Sequence, residues 1–333
     1  MDYFEKVEAL KKLNQTTIDL TSILKDFYAS YKEAAQSNGI SIETLHPLLL
    51  KFLDLVEQQL KKPHHFNAFH EAIREPFDYY TFGLNFIKPL VVFSSSTVLN
   101  LEIADVISAS LSKGENVILL ANHQTEPDAQ AISILLEKTH PKLAEEMIFV
   151  AGHRVISDPL CAPFSMGRNL LCIYSKKYIK TPPEKTLEKQ QHNQRTMTKM
   201  KELLTQGGKC IYVAPSGGRD RLNRQGAIEV AKFDPQSIEL FFLLTKHLEK
   251  KTRFYPLALS TYDLLPPPDL AKKELGEQRH ATCTPIHLAF NQEIDMENFP
   301  SAEKLNKKEK QSARAEYIWN IVNSDYKKFK DLL

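Results

Sequence analysis

An α/β fold, with a mixed sheet covered by helices on both faces and preceded by a small N-terminal helical bundle, is what this sequence predicts. Two observations predict it. Up to about residue 62 apolar residues recur at intervals of three and four, as in Leu49, Leu50, Leu53, Leu55, Val56 and Leu60, the spacing of an amphipathic helix. Beyond about residue 77 short apolar runs alternate with longer helical stretches, the pattern of a sheet buried between helical layers. We therefore expect a bundle over residues 1–77 and an α/β domain over residues 78–333.

Within the first segment Asn38-Gly39 reads as a turn, Ser41 as an N-cap, and Lys61-Lys62-Pro63 as a helix end followed by a breaker. The stretch PHHFNAFHEAIREPFDYY suggests one more helix before Pro76. In the second segment the expected strands are NVILLA (116–121), MIFVAG (147–152), LLCIYS (170–175), KCIYVAP (209–215), RFYPLAL (253–259) and PIHLAF (285–290). Helices are expected over DAQAISILLEK, over PEKTLEKQQHNQRTMTKMKELLTQ as far as Gly207-Gly208, and over PQSIELFFLLTKHLEKK. The charged run EKLNKKEKQSARAEY (303–317) reads as a solvated helix face.

The 333 residues are 42% hydrophobic and 25% charged, with a mean hydropathy of −0.34, the composition of an ordinary globular protein. A formal net charge of +2 gives no general attraction to nucleic acid, so anion binding must come from local clusters. Cys161, Cys172, Cys210 and Cys283 are widely spaced beside apolar residues and are expected to be reduced and buried. No run approaches the roughly 20 apolar residues of a spanning helix, and MDYFEKVEALKK lacks the order of a signal peptide. A cytoplasmic or otherwise reducing location is expected.

Three polar clusters follow expected strands, where open α/β sheets place their ligands. The first is His123 and Asp128, after NVILLA. Thr125 reads as the N-cap of the next helix, with Asp128 at the capping-box offset. Five positions on a continuous helix turn through roughly 140°, so His123 must lie in the turn and fold back to meet Asp128. A carboxylate accepting Nδ1–H would then leave Nε2 to take a proton from a substrate hydroxyl; alternatively Asp128 only caps the helix. The second cluster is YVAPSGGRDR: Gly217 and Gly218 free the backbone, Arg219 and Arg221 offer forks to an anion, and Asp220 would pair with either arginine. The third is Lys176, Lys177 and Lys180 after LLCIYS. Together they describe a base beside an anion-binding wall.

These blocks, in this order, resemble the soluble plastid-type and bacterial glycerol-3-phosphate 1-O-acyltransferases, in the H-x-x-x-x-D acyltransferase superfamily. NHQTEPDA is similar to the first family block, MGRNLLCIYSKK (166–177) to the second, APSGGRDR (214–221) to the third and YPLALSTYD (255–263) to the fourth. Pro215-Ser216-Gly217-Gly218-Arg219 departs from the P-E-G-x-R of the membrane acyltransferases. The resemblance implies a helical bundle before an α/β domain, and acyl transfer from an acyl carrier protein or CoA thioester to the sn-1 hydroxyl of glycerol 3-phosphate. The product is 1-acyl-sn-glycerol 3-phosphate, the first step of phospholipid synthesis.

It implies that His123 is the general base and Asp128 its orienting partner, and that Lys177, Arg219 and Arg221 hold the substrate phosphate. Tyr178 stands where plastid enzymes carry His; a phenol donates a hydrogen bond but is not cationic near neutrality. Oxyanion donors are expected near Gly217 and Gly218 or at the start of the Glu126 helix. The mechanism calls for no cofactor and no metal. Acyl carrier protein, being acidic, would meet a basic patch such as Lys61-Lys62 or KLNKKEK, and a transient membrane-surface contact is a further expectation. The acyl groove would lie along IELFFLLTKHL (238–248) or LLPPP, although these segments read first as core. Two alternatives stay open: a phosphoester hydrolase with a metal on His123, Glu126 and Asp128, and a non-catalytic phospholipid-precursor binding protein.

Overall fold

The computed structural model describes residues 2–13, 19–176, 178–268, 277–300 and 302–331. The chain opens with helices α1 (Tyr3–Lys11), α2 (Leu20–Ser37) and α3 (Ile42–Lys61). Each starts where a side chain satisfies a free amide: Asp2 accepts from Glu5 N, Asp19 from Ser22 N and Ser41 from Glu43 N. The Asn38-Gly39 turn ends α2, Gly39 N donating to Gln36 O and Ile40 N to Ala35 O, both at 2.9 Å.

The further helix expected before Pro76 does not form. Ile73 N donates to Met166 O at 2.8 Å and Ala72 N to the Asn169 side chain at 3.0 Å. Backbone groups that a helix would pair internally thus go to Met166 and Asn169 instead, beside the sheet edge where strand β1 (Phe69–His70) forms. The chain continues through α4 (Tyr79–Ile87), β2 (Thr97–Leu99), α5 (Glu102–Ser112), β3 (Asn116–Ala121), α6 (Asp128–Leu136) and α7 (Pro141–Glu146). Next come β4 (Ile148–Gly152), α8 (His153–Ser157), α9 (Ala162–Met166), β5 (Asn169–Ile173), α10 (Thr186–Gln206) and β6 (Cys210–Val213). A small hairpin, β7 (Arg221–Leu222) with β8 (Ile228–Glu229), precedes α11 (Pro235–Thr245), β9 (Thr252–Ser260), β10 (His287–Phe290) and α12 (Lys307–Lys328). All six expected apolar runs are strands.

Eight strands form one sheet in the order β1-β5-β4-β6-β3-β9-β10-β2. Strands β5, β4, β6, β3 and β9 are parallel neighbours, whereas β1 pairs with β5 and β10 with β9 antiparallel. The sheet is therefore mixed, and the carboxyl ends of β5, β4, β6 and β3 share one edge. Helices cover both faces. In β3, Val117, Leu119 and Ala121 enter a core shared with α2 to α6, while Ile118 and Leu120 enter one shared with α10, α11 and α12. All six residues of β3 are buried, as a strand central to a two-faced sheet must be.

The approach of α9 to α4 depends on one glycine. A Cβ on Gly167 would stand 2.5 Å from the Tyr79 carbonyl and 2.6 Å from Tyr80 N, and these are backbone atoms that cannot turn aside. Gly167→Ala should lower stability by about 1–3 kcal/mol, read by thermal denaturation against Gly152→Ala, whose added methyl meets nothing within 4 Å.

Candidate active site

Strand β3 is followed by Asn122-His123-Gln124-Thr125, which hydrogen bonds hold in place. His123 folds back so that Nδ1 lies 2.7 Å from Asp128 Oδ2. The Asp128 carboxylate also accepts Gln124 N at 2.9 Å, Thr125 N at 3.2 Å and the Thr261 hydroxyl at 2.6 Å. Facing a carboxylate, Nδ1 is the nitrogen that donates, and in the neutral imidazole Nε2 is then the acceptor. The imidazole is 30% exposed and the carboxylate side chain 5%, so the base meets the surroundings while its partner is enclosed. Thr125 is not the cap that its position suggests. Pro127 precedes α6 without a side-chain cap bond, and the Thr125 hydroxyl donates to Leu265 O at 2.6 Å. Asp128 instead reaches back from the first turn of α6 to the amides before it.

A second buried carboxylate joins the His123 loop to the arginine loop. Asp220 accepts from Asn122 Nδ2 at 2.8 Å, Gln124 Nε2 at 3.1 Å and Ala231 N at 2.9 Å, and its own N–H donates to His123 O at 2.7 Å. It pairs with neither Arg219 nor Arg221, contrary to the sequence expectation, because these neutral amides enclose it. Burial pushes its carboxyl up to about 6 despite the bonds from Asn122, Ala231 and Gln124. Asn122 and Gln124 also grip the far end of β9, through Leu259 N at 2.8 Å and Thr261 N at 2.6 Å.

Arg219 and Arg221 lie in a network of guanidinium and carboxylate groups. Arg219 Nη2 is 2.6 Å from Glu277 Oε2, and its Nη1 is 3.8 Å from Glu126 Oε1. Arg279 donates to Glu126 at 2.8 Å and to Asp158 at 2.9 Å, while Arg154 Nη1 is 2.9 Å from Glu277 Oε1. Burial, then the charge of Arg219, lowers the Arg221 guanidinium below its ordinary value. Burial alone would raise the Glu126 carboxyl, but Arg279 and then Arg219 hold it at about 2. Glu126 is thus committed to arginine, and it does not join His123 and Asp128 in the metal site that the hydrolase alternative requires.

The sequence singles out neither Arg154, Arg279 nor Glu277. Arg154 follows β4 as closely as the other clusters follow their strands, so the strand-end rule would have found it. Arg279 and Glu277 lie in a loop without such a mark. Gly217 N–H closes a turn on Ala214 O at 3.1 Å and is therefore unavailable as the expected oxyanion donor; Gly217 (φ 65) and Gly218 shape an exposed loop. Lys177 lies outside the described residues. Tyr178 sits in the turn after β5, its carbonyl accepting Lys189 Nζ at 2.9 Å. Lys176 is tied to Asp234 at 2.8 Å.

His123 also lines an apolar cavity of about 170 Å³, whose lining includes Glu126, Asp128 and Arg279 at its polar part. Its apolar lining comes from Ile23, Leu24, Phe27, Phe52 and Phe86, and from Leu264 and Leu265. Of the expected groove segments only LLPPP contributes. Ile238 and Phe241 of α11 belong to the core on the opposite face of the sheet, and α2 and α3 share the wall with α4, β4, α8 and α9 instead.

The Glu126 ion pairs carry a pH signature. Because the folded carboxyl is held below its unfolded value of 4.5, at about 2, its stabilisation is present above about pH 4.5 and is lost as pH falls toward 2. Glu126→Gln should be less stable than wild type by about 2 kcal/mol at neutral pH. In denaturant titrations that difference should shrink between pH 4.5 and 2; a constant difference would contradict the pairing.

A family model described as Acyltransferase matches residues 102–260, which contain the His123–Asp128 pair and the arginine loop. The chloroplastic glycerol-3-phosphate acyltransferase of Spinacia oleracea is 40% identical over 310 residues, covering 92% of this chain and 66% of that protein. The chloroplastic glycerol-3-phosphate acyltransferase ATS12 of Cucurbita moschata is 40% identical over 310 residues, covering 92% and 67% respectively. That of Arabidopsis thaliana is 38% identical over 306 residues, 91% of this chain and 66% of its own. The chain thus spans about two thirds of the length of these curated relatives, and it belongs to the plastid-type glycerol-3-phosphate acyltransferase family.

Proposed function

We propose that this chain transfers an acyl group from a thioester to the sn-1 hydroxyl of glycerol 3-phosphate by general-base catalysis at His123. That it acylates glycerol 3-phosphate follows from its family. The mechanism rests on one observation: the His123–Asp128 pair lines an apolar cavity, and the arginine loop hydrogen-bonds to the His123 backbone through Asp220. In this reading an acyl chain occupies the cavity and a phosphate the arginine loop, with the base within reach of both.

In this reading Arg219 and Arg221, together with Lys177 and Tyr178, bind the phosphate and present the hydroxyl to Nε2. As the hydroxyl proton moves to His123, the oxygen attacks the thioester carbonyl. Asp128 stabilises the imidazolium through the Nδ1 bond. Collapse of the tetrahedral intermediate breaks the C–S bond, and His123 returns the proton to the departing thiolate. No covalent enzyme intermediate is required. Residues 1–77 serve as the bundle that adds Ile23, Leu24, Phe27 and Phe52 to the acyl cavity, and residues 78–333 as the catalytic domain. The donor is an acyl carrier protein or CoA thioester; the exposed Lys307 and Lys308 offer an acidic carrier a basic surface.

Among the described residues no helix is long and apolar enough to cross a membrane. Exposed Leu240 and Leu243 on α11 support a transient membrane-surface contact for delivery of the lipid product. The four cysteines are free, three of them buried and Cys283 only partly so, against the expectation that all are buried. Free thiols suit a reducing compartment, the cytoplasm in our reading, although the relatives are named chloroplastic.

His123→Ala and Asp128→Ala should each reduce kcat by about a hundredfold or more, assayed with glycerol 3-phosphate and an acyl thioester; undiminished transfer in His123→Ala would sink the mechanism. Arg219→Ala should act mainly on KM for glycerol 3-phosphate, raising it about tenfold. Phe52→Ala should shift kcat/KM across a series of acyl-CoA lengths toward longer chains. An unchanged profile would remove the cavity from acyl binding.

A further inference from the structure

Glu277 is 2% exposed, and each of its carboxylate oxygens faces a different arginine. The bond to Arg219 is aligned, and the same guanidinium also lies near Glu126. The contact with Arg154 is an ion pair at 2.9 Å without hydrogen-bond alignment. One planar carboxylate thus spans two forks and satisfies only one of them well. A phosphate carries more acceptor oxygens in a tetrahedral array and can receive bonds from both.

Arg154, Arg219, Arg221 and Arg279 gather around Glu126, Asp158 and Glu277, so the carboxylates that an incoming phosphate would have to displace are already at hand. Arg279 keeps Glu126 and Asp158 whether or not Glu277 moves, so the exchange need not dismantle the network.

We propose that Glu277 competes with the substrate's phosphate for Arg154 and Arg219, and that Arg154 is a phosphate ligand of the enzyme. This inference rests on the reading of the arginine loop as the phosphate site. Glu277 thereby sets how tightly an anion must bind to be held. A phosphate monoester, dianionic and tetrahedral, displaces it; a substrate alcohol without the phosphate does not.

The test is calorimetric binding of inorganic phosphate to the full chain, together with KM for glycerol 3-phosphate, in wild type, Glu277→Gln, Arg154→Ala and Arg154→Lys. Glu277→Gln should tighten phosphate binding and lower KM by about threefold or more. Arg154→Ala should weaken both by about tenfold, and Arg154→Lys should restore part of the loss. If Glu277 were a fixed strut that aligns Arg219, Glu277→Gln would weaken phosphate binding; that result, or no change, overturns the competition. Unaltered phosphate affinity in Arg154→Ala overturns its role as ligand, and this variant decides alone if Glu277→Gln does not fold. A wild type that binds phosphate without acylating glycerol 3-phosphate would instead defeat the functional reading, while the phosphate affinities of the variants would still judge the competition.

Discussion

Two carboxylates buried at the end of β3 must be fully hydrogen-bonded, because an unpaired charge in that position would cost several kcal/mol. The rest of the active face follows from how that requirement is met. Asp128 draws in the amides of Gln124 and Thr125, the Thr261 hydroxyl and the His123 ring. Asp220 draws in Asn122, Gln124 and Ala231. Gln124 contributes its backbone to one carboxylate and its side chain to the other, so the loop bearing the imidazole is tied to the ends of β6 and β9 together. The His123 geometry is therefore a property of three strand ends, and its precision comes from groups that never touch substrate.

The arginine network obeys a different rule. Its charges are too many to neutralise by burial, so they are paired with one another. Arg279 is the fixed member. Burial would lower its guanidinium, yet Cys161, Glu126 and Asp158 hold it well above its ordinary value. Arg219 is the divided member, shared between Glu277 and a more distant Glu126. An arginine already shared between partners is the one from which an incoming anion can most readily take a bond, which places the adaptable contacts beside the loop that leads to His123.

Much of this was legible in the sequence, for identifiable reasons. The six longer strands are continuous apolar runs because both their faces are buried, and His123, Arg219 and Arg221 stand out because polar residues end those runs. Strands β1 and β2 and the β7–β8 hairpin span two or three residues each, too few to establish a period. The helix expected before Pro76 failed because its backbone is claimed by residues about a hundred positions away, which no local pattern records. Asp220 looked like a partner for its neighbours Arg219 and Arg221, but adjacency along the chain says little where the backbone turns. Arg279 and Glu277 follow no strand end, and only the folded chain brings them to the site.

The acyl cavity ties substrate selection to the stability of the fold. Phe27, Phe52 and Phe86 form its wall, and they also pack on one another, with ring centroids 5.1–6.3 Å apart, in the core that joins the bundle to the sheet. Tyr31, whose hydroxyl donates to Phe86 O at 2.8 Å, fastens α2 to α4 in the same layer. A side chain that shapes this cavity therefore also holds the bundle in place. Trimming such a ring removes buried contacts worth about 3–5 kcal/mol, unless an acyl chain fills the space and restores part of them. Variation in chain-length preference should accordingly be accepted more easily at Leu265, which is only partly buried in the turn after β9, than at the aromatic wall. The same reasoning makes a bound acyl group a stabilising element of the bundle itself, since its methylenes would enter the core at the place where the two layers meet.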